Sequence, residues 1–342
     1  MSSSTFSQAT CTSITDESWN VKTVEFTIDD AENSFEFKAG QYVTVEFTIQ
    51  GATHCRCYTV SSEPQGCGGV FTITVKHSVG GVVSTWLHRE LAVGAKLGVS
   101  RATGDFHLSN DVVEPLLFIA GGVGITPLIS MARAMRAAGL GRDTQFLQFA
   151  RTPADLLFRD ELLAMSKAHP EITPHFLVSR DADTNSINGR LNASTLDSMV
   201  PGWHLRSTYC CGPDSFMSDM RELFLGRGGQ PGRYHQESFV LPAEVKAVPL
   251  ITAERFTVSL ALSKLDSVCL KGETLIDAVH AAPGGIKIPN ACRSGVCGTC
   301  KLRKLSGEVD MQHNGGITEE EVDEGFVLAC CSTPLSDVVL EY

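Results

Sequence analysis

No run of consecutive apolar residues in this chain reaches the ~18 that a membrane helix needs, so no bilayer-spanning segment and no membrane partner are expected. Basic charge is scarce too: 28 Lys and Arg stand against 39 Asp and Glu, a formal net charge of −11. That balance argues against nucleic acid, whose phosphates demand a basic face. The opening residues MSSSTFSQAT lack both a basic region and an apolar stretch, so no secretory signal is read there and the cytoplasm is the expected compartment. Internal repeats and low-complexity tracts are also missing. Outside one group near the C-terminus, Cys11, Cys55, Cys57, Cys67, Cys210, Cys211, Cys269 and Cys331 follow no disulfide-framework spacing and read mostly as buried apolar fillers.

What is present fits two or three soluble domains, since 342 residues at about 100–200 per domain allow that number. VKTVEFTI, YVTVEFTI and VFTITVKH alternate apolar and polar residues, the period of half-buried strands, and LGVS from Leu97 adds another. They predict an antiparallel β-barrel over 10–110, interrupted by one helix, STWLHREL, with Ser84 as its N-cap. From Leu116 the pattern changes. LLFIAGG is a continuous apolar strand followed by a glycine turn and ITPLISMARAMRAAG at helical period; TQFLQFAR, PHFLVSR and STYCCG are further strands, alternating with helices FRDELLAMSKAHP and PDSFMSDMRELFLG. Such alternation predicts an α/β domain with a parallel sheet over 111–235. Residues 236–252, with Pro242 and Pro249 and no sustained period, read as a linker. An α+β domain is expected over 253–342, where 13 acidic residues against 8 basic ones leave −5, densest in EEEVDE from Glu319. An acidic surface suits docking to a basic patch on a protein partner, although a solvated helix start accounts for the same run.

CRSGVCGTC, from Cys292 to Cys300, spaces three thiols C-x4-C-x2-C at Cys292, Cys297 and Cys300, with Cys330 following after a long gap. This is the ligand spacing of a plant-type 2Fe-2S cluster. Gly295 and Gly298 sit where a chain wrapped around a cluster needs left-handed backbone and must aim amide N–H groups at sulfur. Zinc is the competing reading, but zinc sites favour two short-spaced pairs, which adjacent Cys330 and Cys331 do not supply.

Other stretches carry weaker signals. Arg56-Cys57-Tyr58-Thr59 ends a barrel strand with a cation, a ring and a hydroxyl, the set a flavin dinucleotide uses for pyrophosphate, ring stacking and its reactive nitrogen. Gly81-Val82-Val83-Ser84 opens a helix, where free N–H groups welcome phosphate. Gly122, Gly124 and Thr126 lie in a βα turn that suits close approach of a dinucleotide, without the GxGxxG spacing of the Rossmann fingerprint. Cys211 and Gly212 end a later strand at the same sheet edge. Arg151 follows TQFLQFA, where a cation suits the 2′-phosphate of NADPH. In isolation each is also an ordinary strand, a tight turn or a buried thiol before a helix.

Taken in order, RCYTVSS, GGVVSTW, GGVGITP and CCGP resemble the ferredoxin–NADP reductase superfamily, and the tail resembles a fused plant-type ferredoxin of β-grasp type. The resemblance covers nearly the whole chain. It implies that Arg56, Cys57, Tyr58 and Thr59 bind FAD, and that Val75, His77, Gly81, Val82 and Ser84 line its ribityl and phosphate path. Gly122, Gly124, Thr126, Cys211 and Gly212 would face the nicotinamide, with Thr59, Thr126 and Cys211 nearest the chemistry and Arg151 towards the adenosine. Glu237 and Phe239, in HQESF, would lie near the flavin after the last sheet strand. Cys330 would be the fourth cluster ligand because it directly follows a V-L-x tripeptide; if FVLACC is the end of a strand, Cys331 points the other way. Reductase first and ferredoxin last is similar to reductases that feed Rieske-type oxygenases, including those demethylating glycine betaine, and to the NADH reductase of hybrid-cluster protein. A non-enzymatic flavin and iron–sulfur redox sensor is the third reading. NADH is the expected donor, with NADPH open.

Overall fold

The computed structural model describes residues 6–29, 35–64, 69–108, 114–184, 186–239, 254–282, 286–290, 295, 298–313 and 316–342. The chain divides into two units, the first carrying a barrel and a parallel sheet, the second the C-terminal sheets.

The barrel strands are β1 (Phe6–Ser18), β2 (Val21–Ile28), β3 (Tyr42–Ile49), β4 (Ala52–Thr59), β5 (Val70–Lys76) and, after helix α1 (Val82–Arg89), β6 (Lys96–Ser100). They form a six-stranded sheet in the order β4-β3-β6-β1-β2-β5. Its two edges meet at an antiparallel bridge between Val60 and Ile73, and the Ser61 amide donates to Thr72 O at 2.8 Å, so the sheet closes on itself. Alternation works as expected in β2, where Val21, Val24, Phe26 and Ile28 are buried. Val24, Phe26 and Ile28 share a core with Phe47, Val60, Phe71 and Ile73.

The parallel sheet comprises β7 (Leu116–Gly121), α2 (Ile125–Ala137), β8 (Thr144–Ala150), α3 (Arg159–Ala168), β9 (Ile172–Val178), β10 (Ile187–Asn188), α4 (Ala193–Met199), β11 (Ser207–Cys211), α5 (Asp214–Gly226) and β12 (Tyr234–Glu237). Strand order is β10-β9-β8-β7-β11-β12. β7 is buried at every position, as a central strand covered on both faces must be. One face packs Phe118 and Phe146 with Ile125, Ile129 and Met165, and this cluster also takes in Val21, Ala39 and Phe106 from the barrel. The other face packs Leu117 and Leu147 against Leu196, Met220 and Phe224.

The second unit contains β13 (Arg255–Leu260), β14 (Leu265–Leu270), α6 (Leu275–Ala281), β15 (Lys301–Ser306), β16 (Val309–Met311), α7 (Glu319–Asp323), β17 (Phe326–Leu328), β18 (Ser332–Pro334) and β19 (Val338–Glu341). Five strands run in the order β14-β13-β19-β15-β17, with β13 and β19 parallel, and β16 pairs with β18. Leu275, Ile276 and Val279 of α6 pack against this mixed sheet, a β-grasp arrangement. Among the described residues, no helix is long and apolar enough to cross a membrane.

Candidate active site

At the carboxyl edge of the parallel sheet, β7 sits beside β11, and the chain leaves β7 in one direction and returns on the other side. Ligands of open α/β sheets bind at such a switch point. The turn leaving β7 is built from glycine for a steric reason. A Cβ on Gly124 would lie 2.3 Å from Cys211 O, and one on Gly212 would lie 3.0 Å from Gly121 Cα, so the ends of β7 and β11 meet backbone to backbone. Gly122 adopts φ +55°, a conformation that favours glycine. Thr126 enters helix α2 buried, its hydroxyl donating to Val123 O at 3.1 Å.

Parallel pairing of β11 with β12 sets Cys211 beside Glu237. Glu237 therefore ends the sheet's last strand instead of following it, which corrects the sequence expectation. Burial pushes the Glu237 carboxyl up from 4.5 to about 8, and Thr59 opposes that rise. The Thr59 hydroxyl, approaching from the barrel, still makes no hydrogen bond of normal geometry: Thr59 Oγ1 and Glu237 Oε2 are buried without a partner among the described residues. Cys211 is fully buried, and its thiol is held far above its usual range, first by burial and then by the Glu237 charge. Thr59, Cys211 and Glu237 thus bring a hydroxyl, a thiol and a protonated carboxyl to one place where barrel meets sheet. Two buried polar atoms without a partner among the described residues, at the sheet edge where Gly122 has open space around it, fit a polar planar group such as a flavin ring with a nicotinamide against it.

The raised Glu237 value has a consequence for stability. Between about pH 4.5 and 8 the folded protein keeps a proton that the unfolded chain releases. Stability of the flavin-free protein should therefore fall as pH rises through that window, by up to about 1.4 kcal/mol per unit. Glu237→Gln should flatten the slope in urea unfolding at pH 5 and 8; an unchanged slope would assign it to other groups.

The other residues expected from the sequence lie on the following elements. On β4, Tyr58 packs edge-on to Phe47 at 6.3 Å, and Arg56 Nη1 donates to Cys55 O at 2.7 Å, with Cys57 between them. Val75 is buried at the end of β5, and His77 Nε2 meets Thr85 Oγ1 at 3.2 Å. Helix α1 starts at Val82 with Gly81 as N-cap and no side-chain cap. Ser84 is therefore not the cap; it lies in the first turn and accepts from the Ser78 amide at 3.1 Å, holding the Gly80–Gly81 turn against the helix start. Arg151 follows β8 at the sheet edge, its carbonyl accepting from the Arg180 amide at 2.9 Å. Phe239 lies two residues beyond β12 and is 43% exposed.

In the second unit, Cys300 and Cys330 are buried in one core cluster, and the Ala329 amide donates to Cys300 O at 3.1 Å, which brings the two cysteine segments side by side. Cys292 and Cys297 lie outside the described residues. Gly295 and Gly298 have φ of +69° and +70°, the left-handed backbone expected of them. A Cβ on Gly298 would lie 2.8 Å from Gly316 O, and the Gly316 amide donates to Gly295 O at 2.9 Å, so the 316 region braces this loop from outside. β17 ends at Leu328, which overturns the alternation argument for Cys330 and Cys331: both follow the strand and both are buried on the same core.

Sequence reasoning missed Ser130 and Arg133 on α2, which bond to the carbonyls of Ser62 and Ser61. Polar residues recurring every three positions in ITPLISMARAMR were the available signal.

The comparisons with known proteins agree with this layout. Residues 8–108 match an oxidoreductase FAD-binding domain, 118–222 an oxidoreductase NAD-binding domain and 263–335 a 2Fe-2S iron–sulfur cluster binding domain. The glycine betaine monooxygenase reductase subunit of Chromohalobacter salexigens is 38% identical over 97% of this chain and 94% of its own length. The stachydrine N-demethylase reductase subunit of Rhizobium meliloti is 35% identical over 97% and 95%. The solved structure of phthalate dioxygenase reductase, described as a modular structure for electron transfer from pyridine nucleotides to 2Fe-2S, superposes with a TM-score of 0.64 at 25% identity over 98% of both chains. With end-to-end relatives at this identity, the chain belongs to the ferredoxin–NADP reductase superfamily, among the NAD(P)H oxidoreductases that carry an FAD domain, an NAD domain and a C-terminal 2Fe-2S domain.

Proposed function

We propose that this chain is the reductase component of an oxygenase system, taking electrons from NADH and passing them through FAD and a 2Fe-2S cluster to a Rieske-type terminal oxygenase, with a quaternary-amine demethylase the favoured partner. The observation that carries the reading is full-length similarity to two reductase subunits whose names couple them to such substrates. The cytoplasm, where NADH is held, is the compartment it implies.

In this reading Arg56, Cys57, Tyr58 and Thr59 hold FAD, with Val75, His77, Gly81, Val82 and Ser84 along its phosphate path and Glu237 and Phe239 near its ring. Gly122, Gly124, Thr126, Cys211 and Gly212 receive the nicotinamide, and Arg151 lies towards the adenosine. Cys292, Cys297, Cys300 and Cys330 hold the cluster. Bound flavin accepts two electrons together and releases them singly, which matches a nicotinamide to an iron–sulfur centre. The chain's own residues position and shield. Glu237 keeps a proton on its carboxyl up to about pH 8, so the ring environment stays uncharged with the Cys211 thiol beside it. Backbone contact at Gly124 and Gly212 leaves no side-chain bulk between the strand ends.

Cys297→Ser separates the two halves of this path. NADH-driven ferricyanide reduction should be retained while cytochrome c reduction falls by about tenfold or more. Equal retention of both would sink the electron route through the cluster. Reconstitution with a glycine betaine-demethylating oxygenase tests the partner: NADH-dependent demethylation is expected, and its absence with a fully loaded reductase counts against that substrate class.

A further inference from the structure

Helix α2 begins at the glycine turn of the parallel sheet and grips, along one face, the segment that follows β4. Ser130, Arg133 and Arg136 recur every three residues, which places them in a row on the helix. Ser130 Oγ donates to Ser62 O at 2.6 Å, buried throughout. Arg133 Nη1 donates to Ser61 O at 2.6 Å. Arg136 Nη2 lies 3.4 Å from the Glu63 carboxylate. The rest of the Arg133 guanidinium is also fixed, because Nε and Nη2 donate to the two oxygens of Glu161 at 2.7 and 2.6 Å and Cζ stands 4.8 Å from the centre of the Phe158 ring. A planar fork held on three sides has one geometry available to it. Ser61, in turn, is tied into the barrel wall: its hydroxyl bonds Thr72 Oγ1 at 2.8 Å and Thr74 Oγ1 at 3.0 Å.

We infer that this row on α2 is a latch that sets the spacing between Thr59 and the Gly122–Thr126 turn, and that Arg133 is a positioning residue for hydride transfer. The inference rests on the assignment of those two loops to flavin and nicotinamide made above. Ser61 stands two residues past Thr59, and Arg133 stands about two helical turns past Thr126, so strand and helix transmit the latch geometry to both loops without a free joint. The barrel also makes apolar contact with the same helix, with Val21, Ala39 and Phe106 packed into the α2 cluster. Apolar contact is non-directional and tolerates sliding, whereas hydrogen bonds to carbonyl oxygens fix register. Reacting atoms must meet at about 3–3.5 Å, and a displacement of about 1 Å costs on the order of a hundredfold in rate.

The test uses the full-length holoprotein with Arg133→Ala, Arg133→Lys and Ser130→Ala. In anaerobic stopped-flow reduction by NADH, Arg133→Ala should lower the limiting rate about tenfold or more, while FAD content and the apparent NADH affinity stay within about threefold. Arg133→Lys should recover part of the loss. Ser130→Ala, which removes one buried hydroxyl and leaves the arginine, covers the case in which Arg133→Ala does not fold; it should slow reduction about threefold or more. A second readout needs no turnover. Amide exchange of the flavin-free chain should quicken over 58–64 and 125–137 in both alanine variants, and not elsewhere. Unchanged limiting rates, or exchange unchanged over those segments, would overturn the latch. Thr126→Val, measured alongside, tests the loop assignment on its own: unchanged reduction in that variant overturns the assignment, not the latch.

Discussion

Cys330→Ser should abolish or shift the visible and EPR signals of the cluster, and Cys331→Ser should leave both intact. Two neighbouring buried thiols compete for the role, and strand alternation does not separate them, because β17 stops at Leu328. The expectation rests on what surrounds each backbone. Cys331 turns back on the strand, its amide donating to Leu328 O at 3.1 Å and its Sγ to the same oxygen at 3.6 Å. A serine hydroxyl at 331 can make that bond at least as well, so the variant keeps its local structure. Cys330 follows Ala329, whose amide is bonded to Cys300 O, so its backbone lies next to a second proposed ligand. Serine there replaces a soft thiolate with a hydroxyl that iron holds poorly. The opposite pattern, with signals lost only in Cys331→Ser, would move the ligand by one residue.

Gly124→Ala should disable reduction of the flavin by NADH while leaving FAD bound. The added methyl would lie 2.3 Å from Cys211 O, 2.4 Å from Cys211 C and 2.6 Å from Gly212 N. All three are backbone atoms at the end of β11 or directly after it, so relief requires that strand end to move away from the β7 turn. Overpacking of this kind costs about 1–3 kcal/mol of stability. The displacement falls directly on Cys211 and Gly212, and about 1 Å there corresponds to a loss on the order of a hundredfold in the limiting rate. Gly122→Ala is the informative contrast. Space is open around it, and only its φ of +55° resists, at about 1–2 kcal/mol. A rate in Gly124→Ala within threefold of the parent would show that the strand ends yield more easily than a packed sheet should.

Most of this architecture was legible where burial is one-sided or complete. VKTVEFTI, YVTVEFTI and the apolar run LLFIAG are β2, β3 and β7, because alternation and continuous apolarity each follow from how many faces a strand buries. β1 was not read. It has register shifts between Cys11 and Ser13 and between Asp16 and Ser18, and each shift breaks the period that would have revealed it. β12, with the sequence YHQE, is too short and polar to announce a strand, so the register that pairs Glu237 with Cys211 emerged only from the sheet. Ser84 looked like a cap because serine commonly is one, but a Cβ on Gly81 would lie 2.6 Å from Ser84 Oγ, and the glycine takes the position. The latch residues were hidden for another reason. Their partners are main-chain carbonyls of Ser61 and Ser62, and a carbonyl carries no sequence signature.

The pairing of β1 bears on how the molecule is made. Phe6–Thr10 pair with Lys96–Ser100 of β6 across some ninety intervening residues. Until β6 has emerged, β1 has only β2 beside it and one exposed edge, so the sheet cannot finish during early synthesis. Long-range pairing of this type slows folding. A nascent chain paused before Ser100 would carry an unprotected strand edge, and changes within Phe6–Thr10 would act on barrel closure before they touched either cofactor loop.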